Sequence, residues 1–219
     1  MKRVDERRLE EDRLYRFEYL REFVGFDAED ESAIRSVLAQ LAPRVPQMVE
    51  ATYEKLLAYD ATARHFVPRQ AGYDGPTPTD LASVHQEHPQ IRFRKEHLQR
   101  YFLHLLGHAF NEKMVAYLDM VGKMHTPEAG NPAIDVPLVQ MNALMGLVSD
   151  ILWRTLAELD LAPETFLRVG RAFNKLLWIQ NDFISRHYAR GQDGDGRASA
   201  TERSSRATGE PLVAGGSHP

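Results

Sequence analysis

Apolar residues recur at three- and four-residue spacing through most of the chain, and this spacing constrains the fold more than any other feature. The clearest example is an apolar stripe that ends at His125 and consists of Phe110, Met114, Tyr117, Leu118 and Val121. Residues at this spacing share one face of an α-helix. No segment alternates as a half-buried strand does, and no short-period repeat is present. The sequence therefore predicts an all-α protein.

Three segments of different character follow one another along the 219 residues. Residues 1–24 are highly charged and predict a surface helix that docks by one face and ends at Gly25. Residues 25–190 carry the periodic helices and predict one folded domain, as the chain length suggests. Residues 191–219 are rich in Gly, Ser, Thr and Arg and predict a disordered tail, because they offer little apolar surface to bury.

Helix starts and stops divide the folded region into seven helical segments separated by loops. Asp27 is a predicted N-cap, with acidic residues in the turn that follows, and Pro46, Pro89, Pro137 and Pro163 mark further first turns. The predicted helices span about 27–41, 46–59, 80–88, 89–106, 111–125, 136–159 and 163–190. The stretches 67–79 and 126–132 are rich in Pro and Gly and predict loops.

Composition excludes several classes of function. The chain has no Cys, which excludes disulfides, thiolate zinc sites, iron–sulfur clusters and a Cys nucleophile. The net charge of −4 gives no basic excess for nucleic acid. The N-terminus is charged throughout, and the longest apolar stretch, residues 136–149, is too short to span a membrane. A cytoplasmic protein is expected, and any metal or cofactor is expected to bind through His.

His125 is the most informative of the nine His residues. It continues the apolar stripe four residues beyond Val121, at the point where the helix breaks into a loop. An imidazole on an inward face requires a partner. Two interpretations remain open from spacing alone: a core His bonded to a backbone carbonyl, or an axial ligand to haem iron in an apolar pocket.

The other His residues give weaker signals. His104 and His108 lie four residues apart on a polar helix face and could share a zinc ion. A solvated or interface face is the better interpretation, because no HExxH pattern and no nearby acidic ligand accompany them. No function is assigned to His65 or His187, which stand alone in the sequence.

Four stretches together match the pattern of a known family. They are VGFDAEDESAI, MVEATYEKLLAYDATARHF, AYLDMVGKMH and IDVPLVQMNALMGLV. In this order and spacing they resemble the A helix, the B helix, the F helix and the start of the G helix of one group of globins. The chain is thereby similar to the protoglobins and the globin domains of globin-coupled sensors, over about residues 20–188.

The resemblance implies a globin fold of the sensor-globin or protoglobin type, with an extra N-terminal helix, that holds haem b. It matches His125 to the proximal iron ligand and Tyr53 to the distal Tyr that donates a hydrogen bond to the gas ligand. Phe66 matches the Phe packed on the haem. The implied function is reversible binding of O2, CO or NO, in gas sensing or gas binding.

Further pocket residues follow from the same resemblance. Leu98 and Phe102 are expected to cover the distal face from the E helix, and Met141 and Leu144 to wall the pocket from the G helix. The F helix contributes Tyr117 and Val121. Arg94 falls near the distal-gate position, where small apolar residues are more usual. Arg94 is expected to bind a haem propionate, to stabilise a distal anion or to face solvent.

The resemblance also implies a homodimer through the G and H helices. No transmitter domain is expected on this chain, so a signalling partner would act in trans. Two other functions remain open: a haem-free, degenerate globin that serves as a helical interaction module, and a haem enzyme acting on NO or peroxide. The enzyme would need an electron donor, and the sequence has no flavin or dinucleotide motif.

Overall fold

The structure is a computed structural model that describes residues 1–129 and 131–207, with side-chain surroundings up to Tyr188. Every regular element in these residues is helical, which confirms the predicted all-α class. The α-helices are α1 (Glu6–Glu11), α2 (Arg13–Val24), α3 (Ala28–Ser36), α4 (Leu38–Leu41), α5 (Val45–Leu57), α6 (Asp60–Ala63), α7 (Pro89–Gly107), α8 (Glu112–Lys123), α9 (Leu138–Ala157) and α10 (Pro163–Ala207).

Side-chain caps explain where several helices begin. Asp27 accepts hydrogen bonds from the backbone N–H groups of Glu29 and Asp30 and forms a capping box with Asp30, which confirms the predicted start of α3. Asn111 caps α8 in the same manner through the N–H groups of Lys113 and Met114. Each cap satisfies donors that the first turn of a helix leaves free.

The structure differs from the sequence prediction at both ends of the chain. The N-terminal segment forms two helices rather than one, because Asp12 leaves α1 in an extended conformation and caps α2. At the other end, α10 continues to Ala207, beyond the predicted end near residue 190. The Ala, Arg and Glu residues of the added stretch favour helix, whereas its Gly, Ser and Asp residues do not. The rest of the predicted tail, residues 208–219, lies outside the described residues.

Two shorter segments also differ. The predicted helix over 80–88 is reduced to a 3₁₀ turn at Leu81–Ser83, capped by Asp80. The predicted helix over 27–41 is interrupted at Val37, between α3 and α4. Neither change affects the helices that carry the predicted site.

Helix α10 lies at the centre of the packing and contacts α3, α8 and α9, while α5 packs against α7 and α9. At Gly122 in α8, a Cβ atom would lie 2.4 Å from the Phe183 carbonyl oxygen and 3.0 Å from the Ile184 Cα. The missing side chain therefore lets the α8 backbone lie directly against the α10 backbone. None of the described helices is long and apolar enough to cross a bilayer.

Candidate functional site

His125 lies two residues beyond the end of α8, with its ring partly buried. Its Nδ1 atom is 2.9 Å from the Val121 carbonyl oxygen. A carbonyl can only accept a hydrogen bond, so Nδ1 carries the proton and donates. Burial lowers the pKa of His125, and the nearby positive charge of Arg94 lowers it further. The ring is therefore neutral, and its Nε2 atom carries a lone pair that can bind a metal.

The loop after His125 is fixed by backbone hydrogen bonds. The Val136 N–H donates to the His125 carbonyl oxygen at 3.1 Å. The Tyr188 hydroxyl on α10 donates to the Val136 carbonyl oxygen at 2.6 Å. Burial raises the pKa of Tyr188 to about 12, so the hydroxyl remains a donor at neutral pH. The end of α8 is thus connected to α10 through the backbone of Val136.

Asp119 on α8 binds three cationic or titratable side chains from other helices. Its carboxylate lies 2.8 Å from Arg186 Nη1, 3.1 Å from His187 Nε2 and 3.2 Å from Arg13 Nη1. The Arg186 side chain is 2% exposed. This group, the Asp119 cluster, connects α8 to α10 and α2. Sequence reasoning missed it because its partners lie far apart along the chain, and periodicity reports only neighbours on one helix.

Tyr53 on α5 is buried, and its ring centroid is 5.6 Å from that of Phe66. None of the described residues makes a hydrogen bond with its hydroxyl. Burial raises the pKa of Tyr53 well above its ordinary value, and the nearby Arg94 opposes this only in part. The hydroxyl therefore stays protonated and is available as a donor.

Arg94 on α7 lies beside the same two aromatic residues. Its guanidinium carbon is 4.8 Å from the centre of the Phe66 ring, and its Nη2 atom donates to the His65 carbonyl oxygen at 3.3 Å. Its Nε atom is shielded from solvent and has no hydrogen-bond partner among the described residues. Burial lowers the pKa of Arg94. The side chain is therefore partly buried beside Phe66, with its Nε atom shielded from solvent.

The remaining predicted pocket residues occupy different surroundings. Met141 is fully buried, and Leu98 and Leu144 pack against the core from α7 and α9. Phe102 lines a small apolar cavity between α5, α7, α9 and α10. Val121 is partly buried, and its carbonyl oxygen accepts the hydrogen bond from His125.

Tyr117 forms a separate aromatic group with two residues of α7. Its ring centroid lies 6.1 Å from that of Tyr101 and 4.2 Å from that of His104. The rings of His104 and His108 stack at 3.9 Å between centroids. Among the described residues, no group of three or more His, Cys, Asp or Glu could hold a metal ion. The described His104 and His108 side chains therefore belong to a stacked surface group.

The residues at the site fit a haem on three observations. His125 has a neutral ring with Nε2 as its free lone pair, as an iron ligand requires. The Tyr53 side chain is buried, and its hydroxyl has no hydrogen-bond partner among the described residues. The shielded Nε atom of Arg94 also lacks a hydrogen-bond partner within the described part of the chain. Buried donors of this kind are usually satisfied, so their presence together indicates a ligand site.

Comparison with known proteins supports the same interpretation. No curated protein matches this chain. The family model described as Protoglobin matches residues 14–193, which covers α3 to α9, most of α2 and the part of α10 whose side chains are described. The all-α, globin-like fold agrees with that match. This chain therefore belongs to the Protoglobin family of haem-binding globins.

Proposed function

We propose that this protein binds haem b and reversibly binds O2, CO or NO, with His125 as the proximal ligand and Tyr53 as the distal donor. The observation that carries the proposal is the hydrogen bond from His125 Nδ1 to the Val121 carbonyl oxygen, which a core His would also make but which leaves Nε2 without a partner among the described residues. It sets the tautomer in which Nε2 is the free ligand atom and holds the ring plane. Bound haem would supply an iron atom with a coordination position open to a diatomic gas.

Tyr53 would favour O2 over CO. Its side chain is buried and its hydroxyl is protonated and without a partner among the described residues, so a bound gas ligand would not compete with another acceptor. A hydrogen bond to a partly charged ligand contributes about 1.5–3 kcal/mol. O2 gains more negative charge on binding than CO does, so the contribution to O2 is expected to be larger.

The type of haem follows from composition. Covalent attachment of haem c requires Cys side chains, and the chain has none. Composition therefore excludes haem c, and haem b, which needs no covalent attachment, is the haem we propose. Phe66, Met141 and Leu98 supply apolar contact surface around the site.

Gas sensing is favoured over storage by the contacts of α8. Any shift of His125 on ligand binding would move the end of α8, and the Asp119 cluster connects that helix to α10 and α2. Exposed apolar residues on α10 and α9, among them Trp178, Leu167 and Val139, support the expected homodimer. A signalling partner in trans would bind differently when the positions of α8 and α10 change.

The absorption spectrum of purified protein, expressed with adequate haem supply, tests the proposal. A Soret band that shifts when CO is added to the reduced protein is the expected result. A colourless protein with an intact helical fold would instead indicate a haem-free interaction module. Bound metal without porphyrin would indicate a His104/His108 site, and either of these two results would contradict the proposal.

A further inference from the structure

Arg94 differs from the other inward-lying cations of this protein. Among the described Lys and Arg residues that are buried or partly buried, Arg94 is the one with no carboxylate oxygen within 4 Å. The others, each paired with a carboxylate, are Arg16, Arg21, Arg44, Lys95, Lys123, Lys175 and Arg186. The fold therefore pairs the buried and partly buried positive charges of its described residues, with one exception at the predicted distal side.

Lys95, the next residue on α7, is a buried cation whose charge is compensated by a carboxylate. Lys95 is buried, and its Nζ atom lies 2.6 Å from Glu50 Oε2. Arg94 makes one hydrogen bond, to the His65 carbonyl oxygen, and its Nε atom is shielded and unpartnered. An uncompensated charge away from water is destabilising, and groups of this kind concentrate at functional sites.

The position of the Arg94 side chain restricts what its partner can be. The guanidinium lies over the Phe66 ring, and that ring packs against the Tyr53 ring at 5.6 Å between centroids. Arg94 is thus placed beside the two aromatic residues of the proposed distal side. A planar guanidinium presents paired N–H donors that match an oxyanion, and here a Tyr hydroxyl adds a third donor.

We propose that Arg94 and Tyr53 form a distal site for a small inorganic monoanion. Among such ions, the shape of nitrite matches the guanidinium best. The inference rests on the proposed function, because the anion would lie on the open side of the haem. Arg94 would act as a specificity-determining residue, favouring anionic over neutral ligands. The guanidinium without a carboxylate partner is then the feature that recognises the ligand.

The test compares Arg94→Leu with Arg92→Leu in the haem-loaded protein. Arg92 lies on the same helix and its side chain is exposed. Arg92→Leu therefore serves as a control that also removes one positive charge. Nitrite affinity of the ferric protein and CO affinity of the ferrous protein are measured by spectral titration. Arg94→Leu is expected to weaken nitrite binding by about tenfold or more while CO affinity changes less than about twofold. Arg92→Leu is expected to change neither, and Arg94→Lys to retain part of the nitrite affinity.

Equal losses for nitrite and CO, or no loss of nitrite affinity, would overturn the inference. A faster transfer of haem to another apoglobin in Arg94→Leu, with nitrite affinity unchanged, would place Arg94 on a haem propionate instead. If the protein takes up no haem, the proposed function fails first, and that result is visible as a missing Soret band.

A second measurement needs no haem. If the Arg94 charge is uncompensated without a ligand, the haem-free Arg94→Leu protein should resist urea unfolding better than the wild type, as shown by a higher midpoint. Arg92→Leu should leave the midpoint close to that of the wild type. A lower midpoint for Arg94→Leu would mean that the guanidinium is already stabilised by the protein, and would contradict the inference.

Discussion

The polar groups on the two sides of the proposed site differ in how many hydrogen bonds they make within the protein. On the proximal side, His125 donates to Val121, its carbonyl accepts from Val136, and the Asp119 carboxylate binds Arg186 and other partners. On the distal side, the Tyr53 hydroxyl has no partner among the described residues, and neither does Arg94 Nε. The hydrogen bonds around His125 fix the end of α8 in one geometry, whereas distal donors without a protein partner can bind a ligand reversibly.

This difference predicts where substitutions affect folding and where they affect binding. Changes on the proximal side should alter the free energy of unfolding, since protein groups would lose protein partners. Changes on the distal side should alter ligand kinetics with little cost to the fold, since the donors there have few protein partners to lose.

The largest effect is expected at Asp119. Asp119→Asn should lower the free energy of unfolding by about 3 kcal/mol, because it leaves the buried Arg186 beside a neutral amide. Asp150→Asn is the matched control: that carboxylate forms an exposed pair with Arg154 and should cost less than about 0.5 kcal/mol. Urea unfolding of the haem-free proteins measures both values. Equal and small losses would mean that the Asp119 cluster does not stabilise the proximal side.

Tyr53→Phe removes the distal donor and keeps the ring. Loss of a hydrogen bond worth about 1.5–3 kcal/mol should speed O2 dissociation by about tenfold to a hundredfold. CO dissociation should change much less, and the stability of the haem-free protein should stay close to that of the wild type. Rapid-mixing kinetics measure both rates, and equal changes for the two gases would rule out the hydrogen-bonding role.

Gly122→Ala tests the close contact between α8 and α10. The added methyl group would meet the Phe183 carbonyl oxygen and the Ile184 Cα, which are backbone atoms that cannot rotate away. We expect a loss of about 1–3 kcal/mol in the free energy of unfolding and weaker haem retention. Gly146→Ala in α9 meets no atom within 4 Å and should be neutral or stabilising. Thermal or urea unfolding separates the two, and similar values for both would contradict the close approach.

The smallest expected effect is that of pH on O2 dissociation. Burial raises the pKa of Tyr53 above its ordinary value of about 10, so the hydroxyl should donate without change from about pH 6 to 9. The folded protein favours the protonated phenol, so any stability linked to Tyr53 is complete below pH 10 and declines as pH rises further. A steep change in the rate below pH 9 that disappears in Tyr53→Phe would show that the hydroxyl ionises within this range.

The helices could be predicted from the sequence because they depend on local spacing. The stripe that ends at His125 and the cap at Asp27 are local patterns, and the structure places both as expected. The Asp119 cluster could not be predicted from the sequence, because Asp119 and Arg186 lie 67 residues apart and only packing brings them together. The direction of Arg94 also depended on packing, since its helix position left three surroundings possible.

The central claim is that His125 binds the haem iron, and a His125→Gly variant tests it most directly. Absorption and iron–histidine vibrational spectra of the reduced protein should lose the His-ligated signature in the variant. Added imidazole should restore that signature, since it can occupy the space that the side chain leaves. Spectra that are the same in wild type and variant, without imidazole, would contradict the assignment of His125 as the proximal ligand.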